Sequence, residues 1–181
     1  MVYILISALI LGVDIFTKIL AKTHLKDGTI PLIKDVFHFT YVENRGAAFG
    51  ILQNAWVFFI AVAIVLAVVV VWLLKQYKVR PRMMSIGLSF LCAGALGNTI
   101  DRIMQGFVVD FFDFRLIDFP VFNVADIFVC CGAGLLAVFF IFFDKSETED
   151  KDVTSETKDD DETENTEDSD EIQNAEDADE V

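Results

Sequence analysis

Residues Gly94–Asp126, GALGNTIDRIMQGFVVDFFDFRLIDFPVFNVAD, decide how this chain is read. The stretch lies between two apolar segments, each long enough to cross a membrane. It holds five of the nine acidic residues in positions 1–143, namely Asp101, Asp110, Asp113, Asp118 and Asp126. Ionisable groups beside lipid-spanning helices are costly and mark either function or pairing.

Spanning the hydrocarbon core takes about 20 apolar residues, and four segments reach that length: about Val2–Ala21, Trp56–Leu74, Met83–Met104 and Phe122–Phe143. In lipid each must satisfy its own backbone hydrogen bonds, so all four are expected as helices. The expected fold class is a membrane all-α protein of four transmembrane helices, with a small extracytoplasmic β-like cradle between helices 1 and 2. That cradle rests on Val36–Val42, a β-branched and aromatic run preceded by Pro31 and closed by the turn-like Asn44-Arg45-Gly46. The short loop carrying Lys75, Lys78, Arg80 and Arg82 has no acid and is expected on the cytoplasmic side, which puts both termini there. Lys18, Lys22 and Lys26 oppose this orientation at the outer end of helix 1.

The net charge of −14 is a property of the tail. Positions 144–181 carry 19 acidic and three basic residues, whereas positions 1–143 carry nine and 11. The chain therefore divides into a membrane domain, 1–143, and an acidic tail, 144–181, too polar to fold and expected to be disordered and cytoplasmic. No basic patch points to nucleic acid. Cys92, Cys130 and Cys131 sit in apolar runs without metal-ligand spacing and read as small packing residues. His24 and His38 likewise lack metal-type spacing, and Ser7, Ser85 and Ser89 have no base at a plausible depth.

The carboxylates are the reactive groups gathered in one place. The hairpin of helices 3 and 4 brings Asp110 and Asp126 to one shallow depth, the latter about 5 Å inside its helix. Two close carboxylates in low dielectric share a proton, one activating water and the other protonating a carbonyl. An ion or proton pathway, as in a small membrane transporter, and purely structural pairing, as in a structural membrane subunit, use the same groups. Asp14 with Lys18, and Asp101 with Arg102, are the candidate structural pairs. Asn98, Asp101, Arg102 and Gln105 share one helix face, as do Asn123 and Asp126. Gly87, Ala93, Gly94, Ala95 and Gly97 allow close helix packing.

Five segments together resemble one family. They are Asp14-Ile-Phe-Thr-Lys18, Glu43-Asn44-Arg45-Gly46-Ala47-Ala48-Phe49-Gly50, Gly94-Ala-Leu-Gly97-Asn98-Thr-Ile-Asp101-Arg102, Val108-Val109-Asp110-Phe111 and Phe122-Asn123-Val124-Ala125-Asp126. In this order, on four spans, the chain resembles the bacterial lipoprotein signal peptidases, or signal peptidase II, over nearly all of 1–143. The resemblance implies an aspartic endopeptidase of the bacterial inner membrane, active near the outer face. Such an enzyme cuts prolipoproteins immediately before a diacylglyceryl-modified cysteine, uses no metal or organic cofactor, and is inhibited by globomycin. It implies Asp110 and Asp126 as the catalytic pair. Asn44, Gly94, Asn98, Arg102, Asn123 and Ala125 are implied at the substrate site, and Asp14, Lys18 and Asp101 as supporting residues. Asp101 is the rival for the first catalytic place. It is set aside because Arg102 beside it favours its charged form.

Overall fold

The computed structural model describes residues 1–46, 51–77 and 81–143. The motif positions 47–50, the loop residues Lys78 and Arg80, and the acidic tail from 144 lie outside the described residues. Four helices are long and apolar enough to cross a membrane: α1 Val2–His24, α2 Trp56–Gln76, α3 Arg82–Gln105 and α4 Val124–Phe142. Three strands join them, β1 Ile30–Ile33 and β2 Phe37–Asn44 between α1 and α2, and β3 Val108–Phe114 between α3 and α4. Two compact units divide the chain, Met1–Ala137 and Val138–Val181. In the second, the end of α4 sets Phe139 against Phe140 and Phe143, with centroids 5.3 and 6.4 Å apart.

The helices turn apolar side chains outward. Ile4, Leu5, Val62, Ile64, Val65 and Val68 are all exposed, which in water would form an apolar patch far beyond what a monomer tolerates. Lipid is the solvent that removes that penalty. Alpha1 runs one turn beyond the expected Ala21 and takes Lys22 and His24 into its last turn, where cations complement the carbonyl end of the helix. Alpha3 stops at Gly106, whose φ of 79° is open to glycine and whose N–H bonds the Arg102 carbonyl. Alpha4 begins at Val124, two residues after the expected Phe122.

The cradle, expected between helices 1 and 2 alone, takes a third strand from between α3 and α4. The sheet order is β1-β2-β3, antiparallel throughout. Beta3 is rich in β-branched and aromatic residues, which suit a half-buried pleat, and it pairs with β2 through Val42↔Asp110 and Asn44↔Val108. Asp110 is therefore a strand residue, held in register by a ladder. A second constraint comes from Phe122, whose carbonyl accepts the N–H groups of Phe111 (3.0 Å) and Phe112 (2.8 Å) and whose N–H bonds the Phe112 carbonyl (3.1 Å). That bridge ties the start of α4 to β3. Ala21, Leu25, Phe107, Val109, Phe111 and Val124 form the buried apolar cluster where α1, the sheet and α4 meet.

Helix α3 packs on its neighbours through glycine. A Cβ at Gly94 would collide with the Ala125 carbonyl oxygen, and one at Gly97 with the Asp14 carboxylate. Gly94 is thus a close-approach position, and Gly97 is the groove through which α1 reaches α4. Farther along, a Cβ on Gly132 of α4 would lie 2.6 Å from the Leu91 nitrogen and 2.7 Å from the Gly87 oxygen. Gly132→Ala should therefore push α3 and α4 apart and cost about 1–3 kcal/mol. Gly134→Ala, where nothing lies within 4 Å, should be neutral or stabilising by up to about 1 kcal/mol. Thermal unfolding of the two variants in detergent checks the contrast.

Candidate active site

The first turn of α4 is built around Asn123. Its side-chain Oδ1 accepts the Asp126 N–H at 3.0 Å, and its own N–H donates to Asp126 Oδ2 at 3.1 Å. This is a reciprocal capping box, with aspartate in the place usually held by glutamate or glutamine. The Ala125 N–H of the same turn donates to Asp14 Oδ1 of α1 at 2.9 Å. Orphan N–H groups at a helix start need such acceptors. The cap fixes the Asp126 carboxyl group at the mouth of α4.

Asp110 faces this cap from β3. Its Oδ1 accepts Asn123 Nδ2 at 2.6 Å and its Oδ2 accepts Asn44 Nδ2 at 2.8 Å. Asn44 is held in turn by its Oδ1, which accepts the Gly46 N–H at 3.0 Å. Asn98 of α3 donates Nδ2 to Asp126 Oδ1 at 2.8 Å and accepts Asn123 Nδ2 on its Oδ1 at 3.1 Å. Two amides thus bridge the two acids. Asp110 is 1% exposed. Burial, and after it the charge of Asp126, push its carboxyl group up to about 7, while the amides of Asn44 and Asn123 pull the other way. Asp113, two residues along the strand, behaves differently. Burial raises it, but the Thr40 hydroxyl (2.7 Å) and the Arg115 guanidinium (2.8 Å) outweigh that and hold it below the ordinary range.

Behind the acids lies a buried ion cluster. Lys18 Nζ is 2.8 Å from Asp14 Oδ2 and 3.0 Å from Asp101 Oδ2, and it donates to Asn98 Oδ1 at 3.0 Å. The expected Asp14–Lys18 pair is present. The expected Asp101–Arg102 pair is not, because adjacent helical residues do not face each other. Asp101 takes Lys18 instead, and also accepts the Val109 N–H at 3.2 Å. Arg102 turns the other way, stacking over Phe59 of α2 at 4.4 Å and donating to the Gly46 carbonyl at 3.3 Å. By accepting from Lys18, Asn98 Oδ1 fixes its amide so that Nδ2 points at Asp126.

A cavity of about 590 Å³ opens over the acids. Asn44, Gly46, Arg102, Asp110 and Asp126 form its polar side. Phe119, Val121, Ile127, Cys130 and Cys131 are among its apolar lining residues. Sequence reasoning placed none of this apolar wall at the site. The 126, 127, 130, 131 spacing on one helix was the signal that could have found its α4 part. Of the sequence-chosen residues, Asn44, Arg102, Asp110 and Asp126 line the cavity. Asn98 and Asn123 bridge its acids. Asp14, Lys18, Asp101, Gly94 and Ala125 stand behind it as supports.

Comparison with known proteins gives this arrangement relatives. The family described as signal peptidase (SPase) II matches residues 6–142. A lipoprotein signal peptidase of Clostridioides difficile (strain 630) is 49% identical over 146 residues, covering 80% of this chain and 98% of that protein. One of Brevibacillus brevis is 53% identical over 136 residues, covering 74% and 91%. A bacterial membrane enzyme solved by the in meso method superposes with a TM-score of 0.71 at 34% identity, covering 81% of this chain and 90% of that one. A second such structure gives 0.67 at 32% identity, covering 78% and 94%.

Lys18→Met would leave the Asp14 and Asp101 carboxyl groups inside the bundle without their cation. Removing one member of a buried ion cluster costs about 3–5 kcal/mol. The variant should unfold at markedly lower temperature in detergent, and its residual folded fraction should be less active because the Asn98 amide is no longer held. Unchanged melting would contradict the assignment.

Proposed function

The chain belongs to the signal peptidase II family, a multi-pass bacterial membrane peptidase, and on that premise we propose that Asp110 and Asp126 perform aspartic catalysis on prolipoproteins. The substrate bond is the one immediately before the diacylglyceryl-modified cysteine. The observation that carries this reading is the pair of acids on one cavity, bridged by the amides of Asn98 and Asn123.

The roles follow from the environments. Asp126 accepts two N–H bonds and takes a proton from the attacking water. Asp110, buried and shifted up to about 7, holds the proton that goes to the scissile carbonyl oxygen. Attack gives a tetrahedral diol. On collapse the C–N bond breaks, Asp126 hands its proton to the leaving amine, and Asp110 recovers one from the hydroxyl as the carboxylic acid product forms. The polar side of the cavity satisfies the substrate backbone, with Arg102 and Asn44 placed to meet it.

The sheet side of the membrane is assigned to the outside. Lys75 and Arg82 stand at the opposite helix ends, in keeping with basic residues staying cytoplasmic. The contrary lysines at the outer end of α1 weigh less than their number suggests. Lys18 is neutralised within the bundle and Lys22 Nζ bonds Gln105 Oε1 at 3.3 Å. A diacylglyceryl group keeps its chains in lipid, which puts its cysteine at the depth of these acids. We propose that globomycin binds in the same cavity, as the family resemblance implies.

Purified full-length chain with a diacylated lipobox peptide tests the reading. Asp110→Asn and Asp126→Asn should each lower cleavage by about 10²-fold or more while the protein stays folded. Full activity in either variant, or ion flux without peptide cleavage, would sink the proposal. The pH profile gives a second check. Activity should fall as pH rises through about 7, where Asp110 loses its proton. Asn44→Ala removes a hydrogen bond that favours the Asp110 anion, so that limb should move to higher pH.

A further inference from the structure

Cys130 and Cys131 are free, exposed, and part of the cavity wall. They follow Asp126 by four and five positions on α4, so they lie roughly 6–7.5 Å farther along the helix axis, away from the sheet. The cavity therefore continues past the acids by more than a helical turn into the spanning part of α4. Its two sides differ in chemistry. Asn44, Arg102 and the Gly46 backbone line the polar side, with side-chain amide and guanidinium groups suited to a peptide backbone. The α4 side presents Ile127, Cys130 and Cys131, and a thiol is only a weak donor. Peptide N–H and C=O groups in lipid need partners, so an extended backbone lying on that wall would be left unsatisfied; a helical segment satisfies itself but is about 10 Å across, whereas an alkyl chain is slender and loses nothing there. The two cysteines are also small, which leaves room for a slender group beside the helix.

We propose that Cys130 and Cys131 form the contact surface for the acyl chains of the substrate's diacylglyceryl group, and so help to determine specificity for a two-chain thioether lipid. This rests on the peptidase reading given above.

Two measurements on the full-length chain in detergent test it. In the first, Cys131→Phe narrows the slot. Overpacking of this kind should reduce kcat/KM about tenfold or more for an S-diacylglyceryl peptide, mainly through KM, and reduce it much less for the same peptide with a single S-acyl chain. In the second, the native thiols report contact directly and no bulky residue is introduced. A Cys92→Ala, Asp126→Asn chain is alkylated with a maleimide and followed by mass spectrometry. Diacylated peptide at ten times its Kd should slow labelling of Cys130 and Cys131 by about tenfold, and unacylated peptide that is bound to the same degree should not. Equal losses on the one-chain and two-chain substrates, or equal protection by the unacylated peptide, would overturn the proposal. If the unmutated chain cuts no lipopeptide at all, the peptidase reading fails, and the labelling result still decides the contact.

Discussion

The site depends on one buried side chain, Asn123, which is fully excluded from solvent. Its amide nitrogen reaches both Asp110 and Asn98, and its oxygen holds the Asp126 N–H. A buried amide left half-bonded costs about 1–3 kcal/mol, so each of these contacts enforces the others. The network sets the spacing of two acids that come from separate elements. One lies on a strand and the other in the first turn of a helix. The Phe112–Phe122 backbone bridge fixes the strand against the residue before Asn123, and the cap fixes the helix after it.

Alpha1 supplies the rest of the support from the far side of α3. Asp14 passes over Gly97 to cap Ala125, and Lys18 neutralises Asp14 and Asp101 while orienting Asn98. Every member of the cluster also has a directional contact to the layer that carries Asp110 and Asp126, which offsets part of its desolvation. Its position inside the bundle shields it from salt far better than a surface pair.

Much of this was legible in the sequence, for physical reasons that differ between elements. Apolar length marked the four helices, even where Asp14 and Lys18 interrupt the first. The Asn123–Asp126 spacing put both residues on one face because a helix turn is local. Beta3 was missed although Val108–Phe114 carries strand-forming residues, since its partner β2 lies 66 positions away at Asn44–Asp110 and no local pattern announces it. The Lys18–Asp101 contact was missed for the same reason, and neighbourhood in the chain suggested Arg102 in its place. The apolar cavity wall escaped because cysteine and isoleucine in a spanning helix look the same whether they face lipid, protein or substrate, and because Phe119 and Val121 lie in the connection before α4.

The capping box has a consequence for the balance between fold and function. Reactive acids in many enzymes are liabilities to the fold, and replacing them with a neutral or apolar residue makes the protein sturdier. Asp126 is tied to its own helix by the same oxygen that closes the cap. Trimming it to alanine would remove a helix anchor together with the proposed chemistry, so this is a site where the usual trade between robustness and reactivity is closed, and an isosteric amide, with one acceptor oxygen in place of two, can keep the cap only by giving up the Asn98 contact.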